Sequence, residues 1–265
     1  MVLQALLILY RYIGFKVMGY PKQRRTWWEV REDDRNINVY NERDLKRALD
    51  KTGPRDIVVW NDIIVSSTIA LTSAGFTLTS QGGAAIVPKE DEMTLFTVAE
   101  DLEDASFNNL RVGKGIDAGT VTNPWAKFLV VDGGSIMRFS FSGCTMWIVS
   151  DTKARFIECP GGETINRCRF INNYFRIDHD GGSDQDFIEG VLSYSSITSN
   201  YIVTGHVNLT APSNENIMTG NHITSGGIDL GGGLSSGNIV VANNLSGGDA
   251  GVTNRGINFV VANNG

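Results

Sequence analysis

An acidic segment near the middle of the chain holds the residue types best suited to chemistry. Residues 176–189 read RIDHDGGSDQDFIE and contain five carboxylates and one histidine. Paired carboxylates can protonate a glycosidic oxygen and activate a water molecule, and a carboxylate cluster can also hold calcium. The candidate catalytic residues are Asp178, Asp180, Asp184, Asp186 and Glu189.

Two further interpretations of this segment stay open. The Gly-Gly-Ser sequence at 181–183 is typical of a loop, and an acidic loop is often simply solvated. A bound cation is the other alternative, although the match to an EF-hand loop is poor, because Gly182 stands where the loop needs a ligand and Ser183 where it needs a glycine. A plain polar loop is the first interpretation, and the sequence assigns neither a metal site nor a cofactor.

Length and charge narrow the class of protein. A chain of 265 residues is long enough for one large domain with a sizeable core. Its net charge of -6 has the wrong sign for a general nucleic-acid binder. Cys144, Cys159 and Cys168 show no CxxC spacing, so we expect buried, reduced thiols.

The elements that must position these residues are one helix followed by short strands. Asn41 is a good N-cap, and Leu45, Ala48 and Leu49 give an apolar face to a helix over 42–51. After residue 55, short runs rich in β-branched residues alternate with Gly, Ser, Asn or Asp. Hairpin signals are nearly absent, so short strands linked by short turns predict a solenoid.

A repeated asparagine supports the solenoid. An apolar residue, two variable or small residues and an asparagine recur at intervals of about 22 residues, which corresponds to one coil per repeat. Because an amide both donates and accepts, stacked asparagines can form a hydrogen-bonded column along the coils. The expected ladder consists of Asn173, Asn200, Asn221, Asn244 and Asn264.

These motifs resemble the right-handed parallel β-helix of the pectin-lyase-like superfamily over roughly residues 55–265. The resemblance implies an all-β fold with N-terminal α-helical segments, in which the helix at 42–51 covers the open end of the first coil. Polysaccharide lyases and hydrolases of this superfamily place acidic residues on a solvent-facing groove. The resemblance therefore gives the acidic segment a precedent, but it identifies architecture rather than activity.

The N-terminal segment is predicted to serve attachment. Its first ten residues, MVLQALLILY, are apolar, but Arg11 and Lys16 interrupt the stretch too early for a membrane span. A 3-4-3-4 spacing gives a stripe for self-packing or docking, and two tryptophans follow a basic run. The attachment residues are Leu3, Leu6, Tyr10, Ile13, Val17, Trp27 and Trp28. We expect residues 1–40 to form an arm and residues 41–265 the β-helix domain.

The C-terminal surface points to assembly. Residues 191–265 contain four charged residues, fewer than a freely solvated surface usually carries. The chain thus resembles the homotrimeric β-helices of phage tailspikes, fibres and related virion appendages. The leading hypothesis is a structural, trimeric virion protein, either a tail spike or fibre or a capsid decoration protein. It would be made in the host cytoplasm and bind other virion proteins through its N-terminal segment, with a host surface glycan as a further candidate partner. The alternatives are a glycan depolymerase using the carboxylates near 178–189 and a non-catalytic carbohydrate-binding adhesin.

Overall fold

The computed structural model describes residues 35–90, 92–113, 125–150, 152–179, 185–246 and 251–261, with the side chains of Asp178 and His179 left out. Contacts divide the chain into Met1–Asn36 and Ile37–Gly265, and the account below concerns the second unit. Several predicted residues lie outside the described ones: Leu3, Leu6, Tyr10, Ile13, Val17, Trp27, Trp28, Asp180, Asp184 and Asn264.

Short strands make up almost all of the regular structure. The first part of the unit contains helix α1 (Glu42–Leu49) and strands β1 (Asn36–Val39), β2 (Arg55–Val59), β3 (Ile63–Val65), β4 (Ile69–Ala70), β5 (Phe76–Ser80), β6 (Ile86–Pro88), β7 (Met93–Val98) and β8 (Leu102–Glu103). The middle part contains β9 (Ala105–Asn108), β10 (Arg111–Val112), β11 (Trp125–Val131), β12 (Ile136–Met137), β13 (Ser140–Ser142), β14 (Thr145–Ser150), β15 (Ala154–Glu158), β16 (Thr164–Asn166), β17 (Arg169–Ile171), β18 (Tyr174–His179) and β19 (Gln185–Ser193). The last part contains β20 (Ser196–Thr198), β21 (Tyr201–Ile202), β22 (His206–Leu209), β23 (Ile217–Thr219), β24 (His222–Ile223), β25 (Ile228–Asp229), β26 (Ser236–Val241), β27 (Asn244–Leu245), β28 (Val252–Thr253) and β29 (Ile257–Val261).

The strands stack in parallel along the axis of a solenoid. One ten-stranded sheet has the order β1-β2-β5-β9-β13-β17-β20-β23-β26-β29, and the other described strands form a second sheet. In both sheets each strand pairs with a strand one coil away, as Phe141 in β13 pairs with Phe107 in β9 and Phe170 in β17. This topology confirms the predicted parallel β-helix.

Stacked phenylalanines fill the core of the middle coils. Phe107, Phe141 and Phe170 stack almost parallel, with ring centroids 4.7 and 5.2 Å apart. The next coils place Ile197 and Met218 at the same position. Hydrogen-bonded columns link neighbouring coils at separations of 27 to 34 residues in the middle of the unit, but of 20 to 22 residues nearer its C-terminal end. A shorter coil encloses a narrower interior, so smaller side chains replace the aromatic rings.

Helix α1 is tied to the first coils by a buried arginine. Asn41 caps the helix, since its side chain accepts a hydrogen bond from the backbone of Asp44 at 3.0 Å. At the other end, the Arg55 guanidinium donates to the carbonyl oxygens of Ala48 and Leu49, at 2.8 and 2.7 Å. These are among the last helix carbonyls, which lack partners within the helix. Burial lowers the pKa of Arg55.

An asparagine ladder runs along one corner of the coils. Asn173 Nδ2 donates to Asn200 Oδ1 at 2.9 Å, and Asn200 Nδ2 donates to Asn221 Oδ1 at 3.0 Å. Asn221 Nδ2 in turn donates to Asn243 Oδ1 at 2.8 Å. Each acceptor oxygen also accepts a hydrogen bond from the backbone N–H of the preceding ladder residue. The buried amide groups therefore have hydrogen-bond partners.

The prediction that Asn244 belongs to this ladder is wrong by one residue. Asn243 is buried at the ladder position, whereas Asn244 is exposed in β27. The residue before each ladder asparagine turns the chain inward with a positive φ, and in this coil that residue is Ala242, at φ 54°. Alanine rarely adopts this conformation, so the sequence offered no sign that the corner falls there.

A second ladder was missed by the sequence analysis. Asn216 Nδ2 donates to Asn238 Oδ1 at 2.8 Å, and Asn238 Nδ2 donates to Asn258 Oδ1 at 2.7 Å. Their spacings of 22 and 20 residues were a usable signal. It was less visible because these asparagines follow Glu215, Gly237 and Ile257 and lack the apolar residue that lies three positions before each asparagine of the first ladder.

The three cysteines are free and buried, as the sequence predicts. Two of them occupy ladder positions in earlier coils, where the backbone N–H of Cys144 donates to Asn173 Oδ1 and that of Cys168 to Ser195 Oγ. Burial raises the pKa of Cys144 to about 11 and that of Cys168 to about 12. Burial also raises the pKa of Cys159, helped by the nearby charge of Glu163. These thiols therefore stay protonated at neutral pH and are poor nucleophiles.

Candidate functional site

Five charged side chains meet on the neighbouring strands β11, β15 and β19. Register places Arg155 between Lys127 and Asp186, and it places Glu158 beside Glu189. Adjacent strands lie about 4.8 Å apart, so residues in register are direct neighbours. We call Lys127, Arg155, Glu158, Asp186 and Glu189 the charged cluster.

A local irregularity of the strands brings the two rows of the charged cluster together. In β15 both Phe156 and Ile157 belong to the core, and in β19 Phe187 and Ile188 do the same. Two consecutive buried residues interrupt the alternation of faces, and the pairing of β19 with β22 shifts register at this point. Residues on either side of each buried pair, such as Asp186 and Glu189, therefore share the outer side.

Ion pairs connect the members of the charged cluster. The Arg155 guanidinium contacts Asp186 Oδ2 through Nη2 at 3.1 Å and donates from Nε to Glu189 Oε2 at 2.8 Å. The Lys127 ammonium donates to the Glu158 carboxylate on the neighbouring coil. Each carboxylate of the cluster thus faces a cation.

Burial divides the charged cluster into two kinds of residue. The side chains of Arg155 and Asp186 are 2% and 7% exposed, whereas those of Glu189 and Lys127 are 37% and 25% exposed. A substrate from solvent can therefore contact Glu189 and Lys127 directly. Arg155 and Asp186 are suited to positioning the Glu189 carboxylate. The buried Arg155 guanidinium donates to that carboxylate and is itself held by Asp186.

His206 is the register neighbour of Asp186 on β22. Its Nδ1 accepts the backbone N–H of Gly227 at 3.1 Å. In this tautomer the ring proton is carried by Nε2. The imidazole therefore adds a proton-carrying group at the border of the charged cluster.

The structure brings together part of the predicted acidic site. Asp186 and Glu189 belong to the charged cluster, and the backbone of Asp178 pairs with Val149 in β14. Sequence reasoning missed Lys127, Arg155 and Glu158. Glu158 and Glu189 lie 31 and 34 residues from their cationic partners, so only the register of the coils brings them together.

The geometry suits cleavage of a glycosidic bond. Glu158 and Glu189 are register neighbours on β15 and β19. Two neighbouring carboxyl groups are the residue types that glycoside hydrolases use as acid, base or nucleophile. Lys127 can neutralise an acidic sugar or act in proton transfer. Within the described ranges, no group of three or more His, Cys, Asp and Glu side chains is arranged to hold a metal ion, and no helix is long and apolar enough to span a membrane.

Comparisons with known proteins give one structural similarity. No protein-family model and no curated protein sequence matches the chain. Among solved structures, the chain is similar to the crystal structure of an alginate lyase from Paenibacillus sp. str. FPU-7, with 11% sequence identity and a TM-score of 0.42. The match covers 84% of this chain and 99% of that one.

Proposed function

We propose that this chain is a glycan depolymerase that acts at the charged cluster. The observation that supports it is the pair Glu158 and Glu189, side by side on adjacent strands, each in contact with its own cation. A pair of neighbouring carboxylates with a partly exposed member is suited to acid–base chemistry on a substrate from solvent. Glu189 and Lys127 are assigned to contact the sugar, and Arg155 and Asp186 to position Glu189.

The proposal is tested by the release of reducing ends from polygalacturonate, dextran sulfate and neutral dextran. Glu189→Gln keeps the size of the side chain but removes its charge, and we expect at least a hundredfold loss of cleavage rate, as for loss of a catalytic acid or base. Ultraviolet absorbance of the products separates the two reaction classes, because only elimination leaves an unsaturated sugar.

The matched control is Glu100→Gln, which makes the same change at an exposed position outside the charged cluster. Its activity is expected to equal that of the unaltered protein. Full activity of the Glu189 variant, or no cleavage of any of the three polymers, would reject the depolymerase.

A second candidate function is the trimeric structural protein of a virion, and one observation favours it. The outer face of the C-terminal coils exposes a row of large apolar residues, with Ile257 84% and Phe259 61% exposed. Ile217 and Ile239 continue this row on the neighbouring coils, in register with Phe259. Contiguous apolar surface of this kind marks contact sites, and the charge-poor surroundings suit packing against another copy of the chain.

Light scattering tests this second candidate. A species of three times the monomer mass is expected for the unaltered protein, and Phe259→Asp is expected to release monomers because it buries a charge at the contact. The exposed position makes the substitution tolerable for folding. A monomeric unaltered protein would exclude the trimer.

A further inference from the structure

A cavity of about 670 Å³ lies on a different part of the solenoid from the charged cluster. It crosses four successive coils at the corner that leads into the ten-stranded sheet. Side chains that matter to its chemistry are Arg138, Arg167, Arg169, Tyr194, Ser196 and Glu215. We call this cavity the arginine groove, and it shares no residue with the charged cluster.

The backbone shows that the side chains of the arginine groove occupy costly positions. Two corners of the solenoid require a residue with positive φ in successive coils. At the corner of the first ladder these residues are Asn109, Gly143, Asn172, Ser199, Gly220 and Ala242. At the corner of the groove they are Asp104, Arg138, Arg167, Tyr194, Glu215 and Gly237.

The two corners differ in the size of the residues at positive φ, and this difference indicates that the large side chains at the groove corner serve binding rather than folding. Glycine and asparagine adopt positive φ most readily, and the first corner uses small residues or asparagine throughout. Arg167 and Tyr194 adopt φ of 54° and 53° at the second corner, although folding alone would favour smaller residues. Strain of this kind is typical of functional sites.

The arginines of the groove differ in how their charge is used. Arg138 donates to Asp104 through Nε at 2.7 Å and also contacts Glu103. These hydrogen bonds raise the pKa of Arg138, and the bond from Arg138 lowers the pKa of Asp104. Across the described part of the chain, by contrast, Arg167 and Arg169 have no ion pair or side-chain hydrogen bond, and both are exposed.

The remaining groups define what the groove can bind. Ser140 and Ser196 are the register neighbours of Arg169 on the two adjacent coils, so the lining also carries two hydroxyl groups. Tyr194 is 55% exposed, and a tyrosine ring offers an apolar surface to a ligand. Glu215 contributes a negative charge to the lining. Arg138 is already paired with Asp104, so Arg167 and Arg169 are the cations left for an anionic group. The volume falls within the usual range for ligand sites, about 300–1,000 Å³.

We propose that the arginine groove binds an anionic sugar chain, with Arg167 and Arg169 holding its carboxylate or sulfate groups. A guanidinium forms paired hydrogen bonds with such groups, while serine hydroxyls and a tyrosine ring suit the hydroxyls and apolar faces of sugars. The inference goes beyond the proposed function, because binding in the groove requires no member of the charged cluster.

Calorimetric titration of the full chain with polygalacturonate, dextran sulfate and neutral dextran tests this inference. The double variant Arg167→Gln/Arg169→Gln is expected to weaken binding of at least one anionic polymer tenfold or more. Polygalacturonate and dextran sulfate distinguish a carboxylate from a sulfate ligand. Arg47→Gln is the control, since Arg47 is an exposed arginine of α1 without a side-chain partner in the described residues. It is expected to leave affinity unchanged within twofold.

Two readouts separate this inference from the depolymerase. The loss of affinity caused by Arg167→Gln/Arg169→Gln should be the same in a Glu189→Gln background as in the unaltered protein, even where cleavage is lost. Tyr194→Phe should retain binding and Tyr194→Ser weaken it, since the ring supplies the contact. Equal binding of neutral dextran, or equal losses in the double variant and in Arg47→Gln, would overturn the anionic groove.

Discussion

Replacing Arg155 by methionine is expected to lower the free energy of unfolding by about 3–5 kcal/mol. The substitution keeps much of the apolar stem but removes the guanidinium that contacts Asp186 and Glu189. Asp186 is 7% exposed, so its charge stays buried after the loss of this contact. The Glu189 side chain is 37% exposed and recovers hydration more easily, so Asp186 dominates the effect.

Urea denaturation followed by circular dichroism measures this difference. Arg169→Met is the control, because it makes the same change at an exposed, unpaired arginine, where we expect less than about 0.5 kcal/mol. The double variant Arg155→Met/Asp186→Leu should regain part of the loss, since the buried carboxylate that faced Arg155 is then also removed. Equal stability of the two single variants would show that Arg155 does not compensate Asp186.

The fold could be predicted because its periodic features are local in sequence. Short β-branched runs, scarce hairpin signals and the repeated asparagine of Asn173, Asn200 and Asn221 each reflect one coil stacked on the next. The error at Asn244 has the opposite origin. Where two asparagines are adjacent, only the backbone conformation of Ala242 decides which one turns inward.

Much less of the charged cluster could be predicted from the sequence. Asp186 and Glu189 stood out because acidic residues cluster near them, but the partners that define their environment lie on other coils. Arg155 lies 34 residues from Glu189, and the coils vary in length, so a fixed repeat does not predict their register. The arginine groove was missed for the same reason. Arg138, Arg167 and Tyr194 occupy the same corner of successive coils, but no sequence pattern links them.

The neighbours Asn243 and Asn244 provide the sharpest test of the corrected ladder. Asn243→Ala is expected to lower the free energy of unfolding by about 3 kcal/mol or more, at roughly 1 kcal/mol or more for each buried group that loses its partner. Those groups are the backbone N–H and side-chain amide of Asn221 and the carbonyl oxygen of Met218. A truncated alanine methyl leaves them no alternative partner inside the coil.

Asn244→Ala is the matched variant, one residue away and chemically identical. The Asn244 side chain is exposed in β27, so its removal is expected to change stability by less than about 0.5 kcal/mol. Urea denaturation of the two variants in parallel gives the difference directly. A larger loss for Asn244→Ala would return the ladder to the register predicted from sequence. A loss confined to Asn243→Ala would show that hydrogen bonding between coils, rather than the asparagine pair itself, stabilises this narrow end of the solenoid.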